Sequence, residues 1–312
     1  MILCCGEALI DMIPEPMVSG QGGFVPHPGG AVFNTAIALG RLGAQAGLVT
    51  GLSSDLFGQQ LRAALTASGV DTARVIPSDR PTTLAFVELT EGQARYSFYD
   101  ENSAGRMLEP ADMPGLGPEV TALFFGGISL ACEPGAEAYA ALLERAGPGR
   151  AVMLDPNIRP GFIADAVRYR ARLARMIAGA DIVKVSDEDL HWIVPGAEAL
   201  ADKARALQAQ GPALVIVTRG AAGALGLLRG GAVIEVPAEA VQVVDTVGAG
   251  DTFNAGVLAQ LSAAGALSKP ALAALDPDLA AAALRFGARV AAVTVSRAGA
   301  NPPWAAELAQ TA

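Results

Sequence analysis

The chain has 312 residues, 52% of them hydrophobic and only 5% aromatic, and a net charge of −9. That length suits one large domain with an appendage, or two modest ones, and the core must be built from Ala, Val, Leu and Ile. Only three lysines occur (Lys184, Lys203 and Lys269) and no basic run, which argues against nucleic acid and anionic membranes as partners, since both need a basic patch.

Ile2 to Ile13 opens as an apolar run and reads as a buried strand interrupted by Glu7 and Asp11. A carboxylate near a strand end can point into a ligand cleft; a solvent-facing acid at a strand edge fits the spacing equally well. Cys4 and Cys5 are adjacent here and Cys132 stands apart, a pattern that suits small buried residues rather than a disulfide framework or metal knuckle. His27 and His191 are the only histidines, too few for a histidine-rich zinc site. The N-terminus lacks a basic region followed by a long apolar run and a cleavage site. No stretch reaches the ~20 apolar residues that cross a bilayer, so the expected compartment is the cytoplasm.

Residues 14–28 hold four prolines and several glycines. This segment cannot be a helix, and Gly23 to Val25 reads as a short strand. Pro28-Gly-Gly-Ala-Val-Phe-Asn34 then leads into an amphipathic helix that ends at Gly43. Gly29 and Gly30 let a ligand approach the backbone closely, and Asn34, one turn into the helix, can hydrogen-bond a hydroxyl. An ordinary glycine turn with an incidental Asn is the plainer reading. Ala46 to Leu52 reads as a strand and Asp55 to Gly69 as a helix with an Asp cap and a Gly stop. Thr82 to Leu89 and Arg95 to Tyr99 form a strand pair around Glu91-Gly92.

Leu123 to Ile128, Ala151 to Leu154, Asp181 to Val185 and Leu214 to Val217 are short apolar runs. Helix-like segments separate them, at Pro134 to Ala146, Asp165 to Ala178 and Glu198 to Gln210. Such alternation implies an α/β fold, a parallel sheet covered by helices on both faces. Polar residues at the strand ends are then site candidates, here Asp155-Pro-Asn-Ile-Arg159 and Lys184-Val-Ser-Asp-Glu-Asp-Leu190. Ser186 in the latter is a natural N-cap. Thr218-Arg-Gly-Ala-Ala-Gly223 is a short glycine turn after a strand, and Val233 to Val236 and Val241 to Val244 read as further strands.

Val243-Val-Asp-Thr-Val-Gly-Ala-Gly-Asp-Thr-Phe253 is the stretch with most chemical content. A glycine turn, Gly248-Ala249-Gly250, opens an apolar helix from Phe253 to Leu261. The first N–H groups of such a helix are unpaired, and with the helix dipole they form an anion site. Asp251 lies in that first turn. An anion site beside a carboxylate suggests phosphoryl transfer, with amides holding phosphate charge and the carboxylate taking a proton from the attacking hydroxyl. Asp is also an ordinary helix cap. Asp276 to Val295 reads as an Ala-rich helix, and Asn301-Pro-Pro as a C-terminal cap. No Gly-x-x-x-x-Gly-Lys-Ser/Thr string occurs, which excludes a P-loop. Gly248 also lacks the Gly-x-Gly-x-x-Gly spacing of a dinucleotide-binding turn.

Asp-Thr-Val-Gly-Ala-Gly-Asp-Thr-Phe closely resembles the second signature of the ribokinase-like, or PfkB, carbohydrate kinases. Gly-Gly-x-x-x-Asn-x-Ala followed by Leu-Gly resembles the first, and the likeness spans essentially the whole chain. It implies a three-layer ribokinase-like fold in one kinase domain over 1–312. The central sheet is mostly parallel and flanked by helices, and a small β-sheet lid forms from about 14–28 and 82–104. It places Asp251 as catalytic base and Gly248, Ala249 and Gly250 as anion hole. Asp11, Gly29, Gly30, Asn34, Tyr99, Asn102 and Arg159 are assigned to the sugar. Lys184, Ser186, Thr218, Gly220, Gly223, Gly248, Gly250 and Asn301 are assigned to ATP.

A monovalent cation such as K⁺ is expected at Asp245 with the carbonyls of Val247, Arg297 and Gly299. Asp189 would belong to the Mg²⁺ water shell, although Ser186-x-x-Asp189 departs from the usual Asn-x-x-Glu. The Asp-Pro-Asn-x-Arg and Ser-Asp-Glu-Asp segments resemble fructokinases, and Asp100 and Glu101 would repel an acidic sugar. Fructose is therefore the expected acceptor. A 2-keto-3-deoxygluconate kinase, kept open by Arg95, Arg106 and Arg159, is the second reading, and a non-catalytic sugar-binding protein the third. The edges of an exposed lid sheet need covering, which lid-to-lid dimerisation would do.

Overall fold

Residues 1–16, 20–90 and 93–310 are described in the structure, a computed structural model. Its strands are β1 (Ile2–Cys5), β2 (Leu9–Pro16), β3 (Gly22–Gly29), β4 (Ala46–Val49), β5 (Gly51–Ser53), β6 (Ile76–Ser78), β7 (Leu84–Thr90), β8 (Gln93–Tyr99), β9 (Ala122–Gly126), β10 (Ala151–Asp155), β11 (Ile182–Ser186), β12 (Leu214–Thr218), β13 (Ala224–Leu228) and β14 (Val233–Val236). Its helices are α1 (Ala31–Arg41), α2 (Leu56–Ala67), α3 (Gly135–Glu144), α4 (Ala166–Gly179), α5 (Asp187–Ile193), α6 (Leu200–Gln208), α7 (Ala249–Ala263), α8 (Lys269–Ala273), α9 (Pro277–Val295) and α10 (Ala305–Gln310).

Eight strands form one sheet in the order β14-β13-β12-β11-β10-β9-β1-β4. It is parallel from β4 to β12 and antiparallel across β12-β13-β14. Strand residues alternate between two cores. Ile2, Cys4, Phe124 and Met153 join one, with Leu258 of α7 and Leu284 of α9. Leu3, Cys5, Phe125 and Leu154 join the other, with Tyr139 of α3 and Leu173 of α4. Burial on both faces explains why these strands read as unbroken apolar runs. The three thiols are free and buried, with Cys4 and Cys5 on opposite faces of β1. Among the described residues no helix is long and apolar enough to cross a membrane.

A separate four-stranded sheet, β3-β2-β7-β8, stands outside this sandwich. It is more extensive than the proline content of 14–28 suggests, because β2 and β3 pair antiparallel from Leu9↔Gly29 to Pro16↔Gly22. Proline is tolerated there because Pro26 and Pro28 lie on β3, an edge strand, and Pro14 and Pro16 lie beyond the Ile10 to Met12 stretch over which β2 also pairs with β7. The Glu91-Gly92 turn and the Arg95 side chain lie outside the described residues. Asp55 caps α2 through the Gly58 N–H at 2.8 Å and also accepts from the Thr82 N–H and hydroxyl at 2.9 and 2.7 Å. One side chain thus ties a helix start to the entry of the small sheet.

Several expected strands change. Ile2 to Ile13 divides into β1 of the large sheet and β2 of the small one, and Ala46 to Leu52 into β4 and β5 of different sheets. Val241 to Val244 is not a strand; Val241, Val243 and Val244 are exposed, and the Val244 N–H donates to Val295 O at 2.8 Å. The run has the composition of a strand but no strand neighbour among the described residues. In contrast, Ala224-Leu-Gly-Leu-Leu228 forms β13, a strand hidden by its glycine.

Helix α7 is buried from Asp251 to Leu258, which its small residues allow. It crosses α9 closely: a Cβ at Gly256 would come within 2.7 Å of Gly287 Cα. Gly256→Val should therefore lower unfolding stability by about 1–3 kcal/mol through overpacking, read as a fall in denaturant midpoint with unchanged slope. An unchanged midpoint would mean that α7 and α9 can separate at little cost.

Candidate active site

A cavity of about 470 Å³ opens where the small sheet, the start of α1, the C-terminal ends of β10 and β11, and the start of α7 meet. This is the strand-end position at which open α/β sheets bind ligands, and the volume suits a small molecule. Asp11, Gly30, Asn34, Asn157, Arg159 and Lys184 line it, together with residues 246–251.

Gly248 enters α7 in the left-handed region at φ 78°. A side chain there would be strained, and its Cβ would lie 2.7 Å from Ala300 Cβ. The N–H groups of Gly250 and Asp251 have no partner among the described residues, as expected for a helix start. A Cβ on Gly250 would sit 3.1 Å from Lys184 Nζ. The helix amides and one ammonium therefore face the same space.

Asp251 is buried. Its Oδ2 accepts from Asn34 Nδ2 at 2.9 Å, and its carbonyl accepts from the Thr35 hydroxyl at 3.1 Å. Burial pushes its carboxyl up to about 7, with the Asp155 charge adding to that, while the Asn34 hydrogen bond and Lys184 pull the other way. Lys184 Nζ donates to Asp155 Oδ2 at 2.9 Å, and Asn254 Nδ2 donates to the same oxygen at 2.7 Å. Asp11 Oδ2 lies over Gly29, where a Cβ would fall 2.0 Å away. Burial pushes the Asp11 carboxyl up to about 6. Glu7 is buried beneath the same loop, accepting from the Ala31 N–H at 3.0 Å and the Ser129 N–H at 3.3 Å; burial raises its carboxyl too.

Most residues named for the sugar converge on this cavity, Asp11, Gly30, Asn34 and Arg159 among them, with Gly29 beneath Asp11. Tyr99 and Asn102 do not. Tyr99 faces out and packs edge-on against Phe86 with centroids 5.4 Å apart; Asn102 is exposed at φ 57°. Side chains alternate along a strand, so Tyr96 and Phe98 face the cavity instead. That period-2 signal was available in Tyr96-Ser-Phe-Tyr99.

Among the residues named for ATP, Lys184, Gly248 and Gly250 line the cavity, whereas Ser186, Thr218, Gly220, Gly223 and Asn301 lie outside its lining. The Thr218 hydroxyl donates to Val185 O at 3.4 Å. Gly220 and Gly223 have φ 53° and 83°, and a Cβ on Gly223 would fall 2.1 Å from Val236 O. Ser186 caps α5, and Asn301 Oδ1 accepts from Arg41 at 2.7 Å. The Asp189 carboxylate accepts from Ile158 N at 3.0 Å and Ser186 N at 3.3 Å, so it is engaged in holding two loops. Asp245 joins two others, accepting from the N–H groups of Val247 at 3.0 Å and Gly299 at 2.9 Å.

Glu7 and Asp155 were named from sequence only as strand-end acids without a role, and Asn254 was not singled out. Asn254 carried a signal: three residues beyond Asp251, it shares that helix face.

The family model for pfkB family carbohydrate kinase matches residues 1–307. Over 287 residues the chain is 52% identical to a fructokinase of Rhizobium leguminosarum bv. trifolii, covering 92% of this chain and 86% of that protein. The fructokinase of Xylella fastidiosa with bound ATP superposes with a TM-score of 0.88 at 31% identity, covering 99% of this chain and 98% of that one. A double mutant of the Vibrio cholerae O395 fructokinase, in a fructose, ADP and potassium ion bound form, gives a TM-score of 0.81 at 26% identity, covering 96% and 93%.

The Asn34 hydrogen bond favours the ionised form of Asp251. Carbon-13 titration of the Asp251 carboxyl should give a midpoint near 7, moved to higher pH in Asn34→Ala. A midpoint near 4, the ordinary carboxylate value, would mean that water reaches the group.

Proposed function

The chain belongs to the pfkB family of carbohydrate kinases, and on that premise we propose that it is a fructokinase, transferring the terminal phosphoryl group of ATP to a primary hydroxyl of fructose. The observation that carries the reading is the buried Asp251 carboxylate in the first turn of α7, beside unpartnered amides and the Lys184 ammonium. A proton acceptor and an anion cradle then adjoin one cavity, which is what in-line phosphoryl transfer from a nucleotide requires.

The residues fit the groups this reaction needs. A Cβ at Gly250 would sit 3.1 Å from Lys184 Nζ, and the free amides beside that ammonium match phosphate oxygens in shape and charge. Lys184 and the Gly248 to Gly250 amides would hold the transferring phosphoryl group. The turns at Thr218, Gly220 and Gly223 would carry the rest of the nucleotide. Among the described residues no group of three His, Cys, Asp or Glu side chains could hold a metal, so Mg²⁺ would be held chiefly through phosphate and water, as it commonly is. When bound, it supplies charge neutralisation on the phosphates. A monovalent cation, K⁺, would be held by Asp245 with the carbonyls of Val247, Arg297 and Gly299, reinforcing the loop contact that Asp245 already makes.

Asp11, Gly30, Asn34 and Arg159 would hold the sugar hydroxyls. Asp251, ionised above about pH 7, takes the proton of the attacking hydroxyl as the amides receive the developing charge. The small sheet serves as a lid that excludes water, the competing acceptor. Arg106 is held by Asp100 at 2.8 Å, and that pairing supports a neutral sugar over 2-keto-3-deoxygluconate. The free, buried thiols fit a reducing compartment, the cytoplasm. The outer face of the lid exposes an aromatic group, Phe24 at 46% and Tyr99 at 62% with Phe86 between them, and supports pairing of two lids in a homodimer.

ADP release with Mg-ATP should be strong with fructose and weak with 2-keto-3-deoxygluconate, ribose or a nucleoside, and should increase with potassium. Asp251→Asn should fold normally and lose about 10²–10⁴-fold in turnover; wild-type turnover in that variant would remove the base assignment. The kcat/KM for fructose should fall as pH drops below about 7, because the protonated carboxyl cannot accept a proton. Absence of turnover with every sugar would put the non-catalytic sugar-binding reading first. Sedimentation should give a dimer that Tyr99→Glu weakens, and a wild-type monomer at micromolar concentration would refute lid pairing.

A further inference from the structure

A second chamber, about 460 Å³, adjoins the first and lies outside the proposed mechanism. The two share Tyr96, Phe98, Gly161 and Phe162 as lining. Phe98 and Phe162 meet edge to face there, with centroids 4.2 Å apart and planes at 83°. The near-perpendicular orientation is one that aromatic pairs prefer, and the close approach forms a wall between the chambers. The wall is built half from each sheet. Phe98 comes from β8 of the small sheet, and Phe162 from the short turn Pro160–Phe162 that follows β10 of the large one.

The second chamber is polar but charge-matched. Arg106 pairs with Asp100 at 2.8 Å; Arg168 pairs with Glu133 at 3.1 Å, and the buried Arg172 pairs with the same carboxylate. Arg172 also donates to Leu130 O through Nε at 3.2 Å and Nη2 at 3.1 Å. Arg168 and Arg172 share the one Glu133 carboxylate, and Arg172 also reaches Glu137 at 3.6 Å; with Asp165 in the lining the chamber holds three guanidiniums and three carboxylates. Glu133 Oε2, by contrast, is buried with no partner among the described residues, so it remains an acceptor in want of a donor. Tyr169 and Phe162 supply ring surface. Paired charges with spare acceptor capacity, beside aromatic rings, suit neutral hydroxyl groups and C–H faces, the surface of a polyol.

We propose that the Phe98–Phe162 wall sets the length of acceptor this kinase takes, and that the chamber behind it can receive the extra hydroxylated carbons of a longer neutral sugar once the wall is removed. The proposal rests on the sugar-kinase reading. Phe98 and Phe162 line the cavity beside Asp251 where it borders the second chamber, so an acceptor whose primary hydroxyl reaches Asp251 meets these rings if it is long enough. Because each sheet contributes one ring, the wall is complete only while the small sheet lies against the large one. Length is therefore checked in the same arrangement that encloses the reacting groups.

The test compares kcat/KM for fructose with that for the seven-carbon ketose sedoheptulose, in wild type, Phe162→Ala and Phe98→Ala, with thermal unfolding to confirm folding. The two variants open the wall from different elements, so a folding defect in one leaves the other informative. In both, the fructose-to-sedoheptulose ratio should fall by about tenfold or more, the range in which a pocket discriminates one carbon unit. The six-carbon acid 2-keto-3-deoxygluconate should gain nothing. An equal loss on both ketoses, an unchanged ratio, or a gain by the acid instead of sedoheptulose would overturn the proposal. A wild type that releases no ADP with fructose would sink the kinase reading together with it. A wild type active on fructose whose variants keep the ratio would sink the wall alone.

Discussion

One buried ammonium organises the cleft. Lys184 projects from β11 with its side chain almost wholly buried, and an ammonium in such a place is tolerable only if it is paired. Its partner is Asp155, the last residue of the neighbouring strand β10, and Asn254 from α7 donates to the same carboxylate oxygen. Two adjacent strand ends and one helix are thereby held in fixed relation. That helix carries Asp251 one turn earlier, and the ammonium lies against Gly250 in the same turn. The charge pair positions the helix start, and the helix start presents both amides and carboxylate. The Asp155 negative charge also reaches Asp251 and helps to raise it, so the network that positions the carboxyl also adjusts its proton affinity.

The second constraint is close backbone approach. Four glycines near the cavity have no room for a side chain. Gly29 lies under the Asp11 carboxylate, Gly30 over the Glu7 carbonyl, Gly127 against the Glu7 carboxylate and Gly248 against Ala300. Two of these contacts keep a buried acid close to a backbone segment, an arrangement that a Cβ would push apart by an ångström or more. Burial raises the carboxyls of Glu7, Asp11 and Asp251 alike. The cavity is thus lined with acids that ionise less readily than usual.

Local chemistry made much of this legible beforehand. Gly-Ala-Gly-Asp followed by an apolar helix states its anion site in one dimension, because the free amides and the carboxylate lie within a single helical turn. The same holds for Gly-Gly before α1, and for strand–helix alternation, which reports burial on both faces of a sheet. What stayed hidden in the chain came mostly from partners distant in sequence. Val241 to Val244 has strand composition, but its Val244 N–H bonds to Val295 O instead of to a strand. Ser186 and Asp189 form a helix capping box and hold Ile158, a contact 31 residues away that no motif displays. Tyr99, assigned to the sugar from the resemblance, faces out because the two-residue period of β8 puts Tyr96 and Phe98 on the cavity side.

The sequence by itself determined the class of fold, the glycine turn that opens a helix beside a carboxylate, and the acid pair Asp100-Glu101 that weighs against an acidic sugar, because each depends on residues within a turn or a strand of one another. Tertiary structure alone decided that Asn34 of α1 would hold Asp251 of α7 across 217 residues, and that Asp155, Lys184 and Asn254 would share one buried charge. It alone decided that Phe98 and Phe162 would meet to divide one hollow into two. Those outcomes depend on how two sheets and their helices pack. Pairing between distant residues is selected by the burial and shape of the whole, and it leaves no periodic trace in the chain.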